Sequence, residues 1–447
     1  MEENFLLTTP LAERLYFDVA QPLPLCDWHN HLDMTMLRED RPFADPADLW
    51  LTCDPYKHRA LRILGCPEQA ITGPVSGYEK FALWCEKFPL LAGSPLWDWS
   101  ALELKRCFKL NLPVCKENAG VLWQKMSAKL GTPRTILGKF DLRYAAPCAD
   151  FTEDLTPFEG MDGFAPSLRG DRFFADLPGV AAWLEARYGE KITGLDDFFS
   201  LTERRLGEFH RLKCRFADHA LDAPWCYVPD DGRNEARFAA VLRGEAPDAA
   251  LQSELLRRLA KLYRRHDWVL QLHMGALRHT SDRLRLAAGP AGGYAAFDGV
   301  PVSDLTALLN DLERADDLPR VILYAMEPSQ YPQLAVLSGA FNRAEEPGLV
   351  SLGPAWWWSD HLRGMEETFE AVARYGVLSA FPGMTTDSRS LLSLCRHEYY
   401  RRCLCRWLGE QAARGDMTSD FTVLSVLVRR LCWENARDII TKRGITL

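Results

Sequence analysis

The sequence predicts an α/β protein built as a distorted (β/α)8 TIM-type barrel. Three observations predict it: eight short apolar runs alternate with longer amphipathic ones, a His-x-His pair ends the first run, and an Asp-x-Arg loop follows the last. Short apolar runs bounded by turn residues read as buried strands, and their alternation with helical patterns implies parallel strands joined by crossover helices. Eight such units close most simply into a barrel, whose mouth collects side chains from the C-terminal strand ends.

The strand-like runs fall at 23–28, 140–146, 161–166, 212–217, 268–274, 320–326, 349–354 and 378–384. Helical periodicity separates most of them, at 199–210, 249–265, 302–314 and 365–375. The interval 32–135 is too long for one crossover. Its aromatic-rich helical stretches around 78–88 and 97–108 read as an inserted helical cap region over the barrel mouth. A polar stretch at 224–247, with Asp230, Asp231, Gly232 and Arg233, reads as a surface excursion. With no repeat, low-complexity tract or flexible linker, residues 1–447 are expected to form a single barrel domain that includes the cap.

A chain of 447 residues that is 47% hydrophobic can bury a large core. Its formal charge of −8 argues against nucleic acid or an anionic membrane as the main partner. The acidic start, Met1-Glu2-Glu3-Asn4-Phe5-Leu6-Leu7, lacks the basic and apolar regions of a secretion signal, and no apolar stretch is long enough to span a bilayer. Thirteen cysteines without a Cys-x-x-Cys pair read as reduced thiols, so a cytoplasmic location is expected. Cys403 and Cys405 sit in a helical run where i and i+2 diverge, and core packing is the expected role.

The first run ends in Pro24-Leu25-Cys26-Asp27-Trp28-His29-Asn30-His31. On a strand, residues i and i+2 share a face, so His29 and His31 aim into one pocket and can hold one metal ion. His-x-His triplets are common, but this one lies where barrel enzymes gather their catalytic groups. A third ligand is offered by Asp387, in Gly383-Met384-Thr385-Thr386-Asp387-Ser388-Arg389-Ser390 after the last run. In a closed barrel the last strand neighbours the first, and two imidazoles with one carboxylate suit zinc or manganese. The local sequence also offers Asp387 as N-cap of a helix beginning at Ser390.

Ordered motifs run through nearly the whole chain: Phe5-Leu6-Leu7, Asp27-x-His29-x-His31-Leu32, Tyr56-Lys57-x-Arg59-Ala60-x-Arg62, Glu79-Lys80-Phe81-x-x-Trp84, Pro95-Leu96-x-x-Trp99 and Leu102-Glu103-Leu104. They continue with Asp218-His219-Ala220-Leu221-Asp222, Gln271-x-His273-x-Gly275-Ala276-Leu277-Arg278 and Asp387-Ser388-Arg389-Ser390 followed by Arg396-His397-Glu398-Tyr399-Tyr400-Arg401-Arg402. Together they resemble the uronate isomerases (glucuronate isomerases), a branch of the amidohydrolase superfamily.

The resemblance implies aldose-ketose isomerisation of a hexuronic acid, D-glucuronate to D-fructuronate or D-galacturonate to D-tagaturonate, by proton transfer between C2 and C1 through a cis-enediol. It implies a divalent metal, zinc first and manganese second, on His29, His31 and Asp387. Tyr56, Asp387 and Arg389 are implied nearest the proton transfer. Metal coordination lowers the basicity of Asp387, and a phenol near a metal and Arg389 would have its pKa lowered, so both Asp387 and Tyr56 stand as the base. Arg169 and Arg389 are implied as a clamp on the substrate carboxylate. His219 and His273, ending the fourth and fifth runs, are expected in the barrel mouth, and Trp357 of Trp356-Trp357-Trp358 is expected against the sugar. His397, Arg401 and Arg402 read as supporting groups. The implied partner is a small uronic acid, and a homo-oligomer is compatible with the pattern.

Several positions depart from the family: Pro55 precedes Tyr56 where relatives carry histidine, Asp98 and Ala101 replace two family histidines, Ala149-Asp150 stands for Asp-Asp, and Met326-Glu327-Pro328 for Leu-Asn-Pro. They cluster at the expected substrate rim. Two rival readings stand beside it: a metal-dependent hydrolase of a sugar-acid derivative, because the superfamily mostly uses the same site to activate water, and a non-catalytic sugar-acid binder, prompted by Pro55, Asp98 and Ala101.

Overall fold

The computed structural model describes residues 2–278, 280–289 and 295–442. Nine strands lie along the described chain: β1 Leu25–Asn30, β2 Leu142–Asp150, β3 Ser167–Arg169, β4 Phe216–Leu221, β5 Val269–Met274, β6 Ala276–Leu277, β7 Ala296–Phe297, β8 Arg320–Ala325 and β9 Val350–Leu352. Seven form one curled sheet in the order β1-β2-β3-β4-β5-β8-β9, every pairing parallel, while β6 and β7 make a small antiparallel hairpin. This is the (β/α) barrel expected from the alternation, and helices such as Leu195–Arg211, Ala249–His266, Val302–Arg314 and Leu362–Tyr375 close over its outside.

Two apolar layers follow from the period-2 alternation of the strands. Inward side chains, including Trp28, Tyr144, Ala146, Phe216, Val269, Ile322 and Tyr324, fill the barrel. Alternate residues, including Leu168, Ala217, Leu270, Leu272, Val321 and Leu323, face the helices. Each fully buried large side chain stabilises the fold by roughly 1.5–3 kcal/mol.

The barrel closes differently from expectation. Residues 378–384 are not a strand: Leu378–Ala380 is a 3-10 turn, and no ladder pairs the remainder. Pro382 lacks a ladder N–H, and Gly383 has φ +103 with Leu431 O only 2.5 Å from where a Cβ would stand. The segment is instead held by side chains. Asp27, fully buried, accepts from the Thr385 hydroxyl, the Thr386 N–H and the Thr386 hydroxyl, each at 2.7 Å. Two backbone bonds then join the loop to the end of β1, Asp387 N–H to His29 O at 3.0 Å and His31 N–H to Ser388 O at 2.8 Å. The third and fourth strands also start later than the runs 161–166 and 212–217, at Ser167 and Phe216.

The interval between β1 and β2 is helical, as expected of the cap, with Gly77–Lys87 and Pro95–Phe108 its longest members. Ser76 and Glu79 form a reciprocal capping box on the first, and Ser94 caps the second, which begins at a proline. The stretch 224–247 carries its own helix, Asn234–Leu242. Cys403 and Cys405 are fully buried on Arg396–Arg414, as packing residues. Arg401 of that helix donates to Leu23 O and Pro24 O, and Arg402 to Glu3 O and Phe5 O, fastening the N-terminal segment. Among the described residues no helix is long and apolar enough to cross a membrane.

Candidate active site

Strand β1 delivers His29 to the barrel mouth. Its pairing with β2 is irregular between Asp27 and Asn30, and the Asn30 side chain bridges Asp27 O and the Leu32 N–H, turning the chain so that His31 leaves the strand beside His29. The two rings lie 5.4 Å apart, nearly perpendicular. The Trp28 indole donates to Tyr324 OH at 2.9 Å and that hydroxyl to Gln271 Oε1 at 2.7 Å, so β1 is held across the barrel interior from behind.

The expected trio comes together. Asp387 Oδ1 is 2.9 Å from His31 Nε2 and 3.2 Å from His29 Nε2. Asp387 adopts a left-handed backbone, φ 48, which aspartate tolerates better than most residues. It does not cap the following helix, because its second oxygen accepts the Trp356 indole N–H at 2.7 Å. Burial would raise the Asp387 carboxyl, but the adjacent His29 and His31 outweigh that and hold it well below the usual carboxylate range.

Tyr56 lies on the cap helix Pro55–Ile63, in which Pro55 is the first residue and Asp54 accepts the Tyr56 and Lys57 N–H groups. Its ring stands edge-on to Trp99, 6.0 Å between centroids, with the Arg396 guanidinium 5.9 Å away. Here the expectation of a lowered phenol is reversed: burial, then the Asp387 charge, push Tyr56 well up, against the pull of Arg396. The neighbouring cation is Arg396, not Arg389. Asp98, on the helix that carries Trp99, is pushed up to about 6 by burial.

Arg389 is exposed, and among the described residues it has no ion pair. Arg169 ends β3 and pairs with Asp171 at 2.8 Å. His273 ends β5 on the inward row, its ring 4.5 Å from His29 and 4.7 Å from Trp356. Burial, then the nearby His29, hold it neutral, and its Nε2 has no hydrogen-bond partner. Trp357 is half-buried, with the Arg278 guanidinium 5.4 Å from its ring. His219 is not in the mouth. It follows Asp218 on β4 and so points to the other face, where its Nε2 meets Tyr263 OH at 2.7 Å and its ring packs on Phe174. The residue facing the mouth from β4 is Asp218.

Three groups were missed from sequence. Cys148 extends the inward row Tyr144, Ala146, Cys148 beyond where the apolar run ended. Its Sγ is 3.5 Å from His29 Nδ1 and 3.5 Å from Asp218 Oδ1. Burial opposes ionisation of this thiol, but His29 and His31 outweigh it and hold Cys148 well below the usual range, while burial and the adjacent Cys148 raise Asp218 well above its own. Trp356 is the third. Only the alternation along β2 and β4 could have exposed Cys148 and Asp218, and within the tryptophan run no local signal picks Trp356 over Trp357.

These donors fit a divalent cation. One ligand atom each from His29, His31 and Cys148 lies within 4.8 Å of the others, and Asp218 Oδ2 beside them is buried with no hydrogen-bond partner.

A parallel barrel with paired histidines at the end of its first strand and an aspartate at its closure defines an enzyme of the amidohydrolase-type TIM fold. The family model for glucuronate isomerase matches residues 1–440, and the chain belongs to that family. It is 33% identical over 456 residues to the uronate isomerase of Bacillus licheniformis, covering 98% of this chain and 96% of that protein. To the uronate isomerase of Salmonella arizonae it is 35% identical over 460 residues, 98% of each. The crystal structure of the Thermotoga maritima uronate isomerase superposes with a TM-score of 0.91 at 28% identity, covering 98% of this chain and 99% of that one. The Caulobacter crescentus glucuronate isomerase has the same fold, TM-score 0.91 at 22% identity, covering 100% of this chain and 98% of that one.

Proposed function

We propose that this protein isomerises a hexuronic acid, interconverting D-glucuronate and D-fructuronate, D-galacturonate and D-tagaturonate, or both pairs. The observation that carries the reading is the meeting of Asp387 with His29 and His31, with Tyr56 near Asp387 and Arg169 near Asp218 and Cys148. The reaction removes the C2 hydrogen as a proton, leaves its electron pair in a C1=C2 enediol while O1 gains a proton, then returns a proton to C1 as O2 loses one. Atoms and electrons balance without a redox partner.

Asp387, held ionised, acts as the base, and Tyr56, held as a phenol, supplies and recovers the proton at oxygen. General acid-base groups of this kind contribute roughly 10²–10⁴-fold. Arg389 and Arg169 take the substrate carboxylate, for which a planar fork is suited. His273 and Trp357 line the sugar-facing wall. His29 and His31, with Asp387 or Cys148, hold a divalent cation, zinc before manganese, which when bound polarises a substrate oxygen.

The whole chain acts as one unit, supported by an apolar core that runs from Leu7 to Leu431. Thirteen free cysteines suit a reducing cytoplasm. The partner is the small sugar acid, and a homo-oligomer is compatible with this reading.

The test is a ketose assay with glucuronate and galacturonate, run beside a panel of amides and lactones. Ketose formation from either uronate is expected, with deuterium from heavy water entering C2 of the aldose. Hydrolysis without ketose, or uronate binding without turnover under any divalent metal, overturns the reading.

A further inference from the structure

The proton transfer makes no use of one reactive group at the mouth, the thiol of Cys148. It is not an isolated cysteine. Its sulfur lies 3.5 Å from His29 Nδ1, and atoms of Cys148, His29 and His31 fall within one 4.8 Å cluster. A buried polar atom without a partner lies beside it: Asp218 Oδ2 has no hydrogen-bond partner, on a side chain only 1% exposed, while the His29 ring turns Nδ1 to Cys148 and Nε2 to Asp387. A buried polar atom without a partner costs about 1–3 kcal/mol, and a cation with its bound water relieves that cost.

We propose that Cys148 is a ligand of the divalent cation, which it holds together with His29 and His31, leaving the Asp387 carboxylate outside that set and free to move the proton. This rests on the metal reading given above and deepens it. Two imidazoles and one thiolate are the donor set of a catalytic zinc site, three protein ligands with one position open. A soft sulfur donor also turns selection toward zinc and away from manganese or magnesium, which prefer oxygen. Coordination needs a thiolate and two neutral imidazoles, so the proton shared among Cys148, His29 and His31 leaves to solvent as the metal bonds form. Asp218 Oδ1, 3.5 Å from that sulfur, would accept a hydrogen bond from water held beside the cation.

The assignment separates two arrangements with different consequences. If Asp387 coordinates, the carboxylate that Trp356 and His31 orient is also the metal's anion and loses basicity. If Cys148 supplies the negative charge, orientation and basicity of Asp387 are preserved together.

The test loads full-length protein with cobalt(II) at one equivalent and records its absorption, with zinc K-edge X-ray absorption of the zinc-loaded form beside it. We expect a thiolate-to-cobalt charge-transfer band in the near ultraviolet and one sulfur scatterer at about 2.3 Å from zinc. In Cys148→Ser both disappear while cobalt still binds through the histidines, and the zinc-over-manganese preference falls at least about tenfold. Stoichiometric cobalt with no sulfur band in the unaltered protein, a measurement that needs no variant, overturns the assignment and leaves the isomerase reading standing. A band that persists in Cys148→Ser overturns it too. Failure of the unaltered protein to bind cobalt or zinc at all removes both this ligand and the metal reading, whereas uronate turnover, assayed separately, reports on the isomerase alone.

Discussion

The indole N–H of Trp356 donates to Asp387 Oδ2 at 2.7 Å, on the opposite side of the carboxylate from His31. That bond fixes which oxygen faces the histidines and which faces away. A hydrogen bond to a charged group contributes about 1.5–3 kcal/mol, so Trp356→Phe, which keeps most of the packing, is expected to lower kcat roughly ten- to a hundredfold. Steady-state kinetics on a uronate checks it. Unchanged kcat means that Asp387 does not need this orientation.

Arg389 is exposed two residues after Asp387 and has no ion pair among the described residues, so its guanidinium is available to a substrate carboxylate. Arg389→Lys keeps the charge but replaces a two-pronged donor by a point charge, and kcat/KM is expected to fall on the order of a hundredfold. Near-normal kcat/KM would assign the carboxylate to another cation.

His29 and His31 supply two of the donors in each arrangement of the cation. The double variant His29→Ala, His31→Ala is expected to retain well under one zinc per chain after loading and dialysis, measured by elemental analysis. Full stoichiometry in that variant would move the metal elsewhere.

His219 sits behind the sheet rather than in the mouth, and burial pushes it down to about 4, with Asp171 opposing. An unfolded histidine titrates near 6.5, so between about 6.5 and 4 the unfolded chain carries the extra proton and stability falls as pH falls. The loss is complete below the folded value and amounts to about 3 kcal/mol. His219→Gln is expected to flatten the decline of Tm between about pH 6.5 and 4.5 while leaving kcat/KM within about twofold. A large rise in KM would return His219 to the substrate site.

Much of this was legible along the chain. The strand-helix alternation predicted the barrel because period-2 and period-3.6 patterns are local consequences of which face is buried. Helices such as Val302–Arg314 begin and end where their sequence signals place them. His29 and His31 were legible as a pair at the end of the first run, although the irregularity between Asp27 and Asn30, with His31 just past the strand, is what sets them side by side, and Asp387 because barrel closure is a topological rule.

Errors arose where a long-range contact overrode the local signal. Residues 378–384 look like a strand, yet the buried Asp27 carboxylate, 358 positions away from Thr385, holds the segment through side chains instead. His219 and Asp218 are adjacent, and only the direction of β4 in the folded sheet chooses which of them meets His29. Tyr56 was expected to ionise more easily near a cation, but the cap buries it beside Asp387, and desolvation with a like charge dominates.

By itself the chain determined its fold class, its histidine pair and the residues of its Asp-x-Arg loop, because these follow from periodicity and from chemistry carried by neighbours in sequence. Tertiary structure alone decided that Cys148, Asp218 and Trp356 surround that pair, and which groups are charged there. Burial and the distance between side chains on different strands set those properties, and neither quantity exists until the sheet has curled.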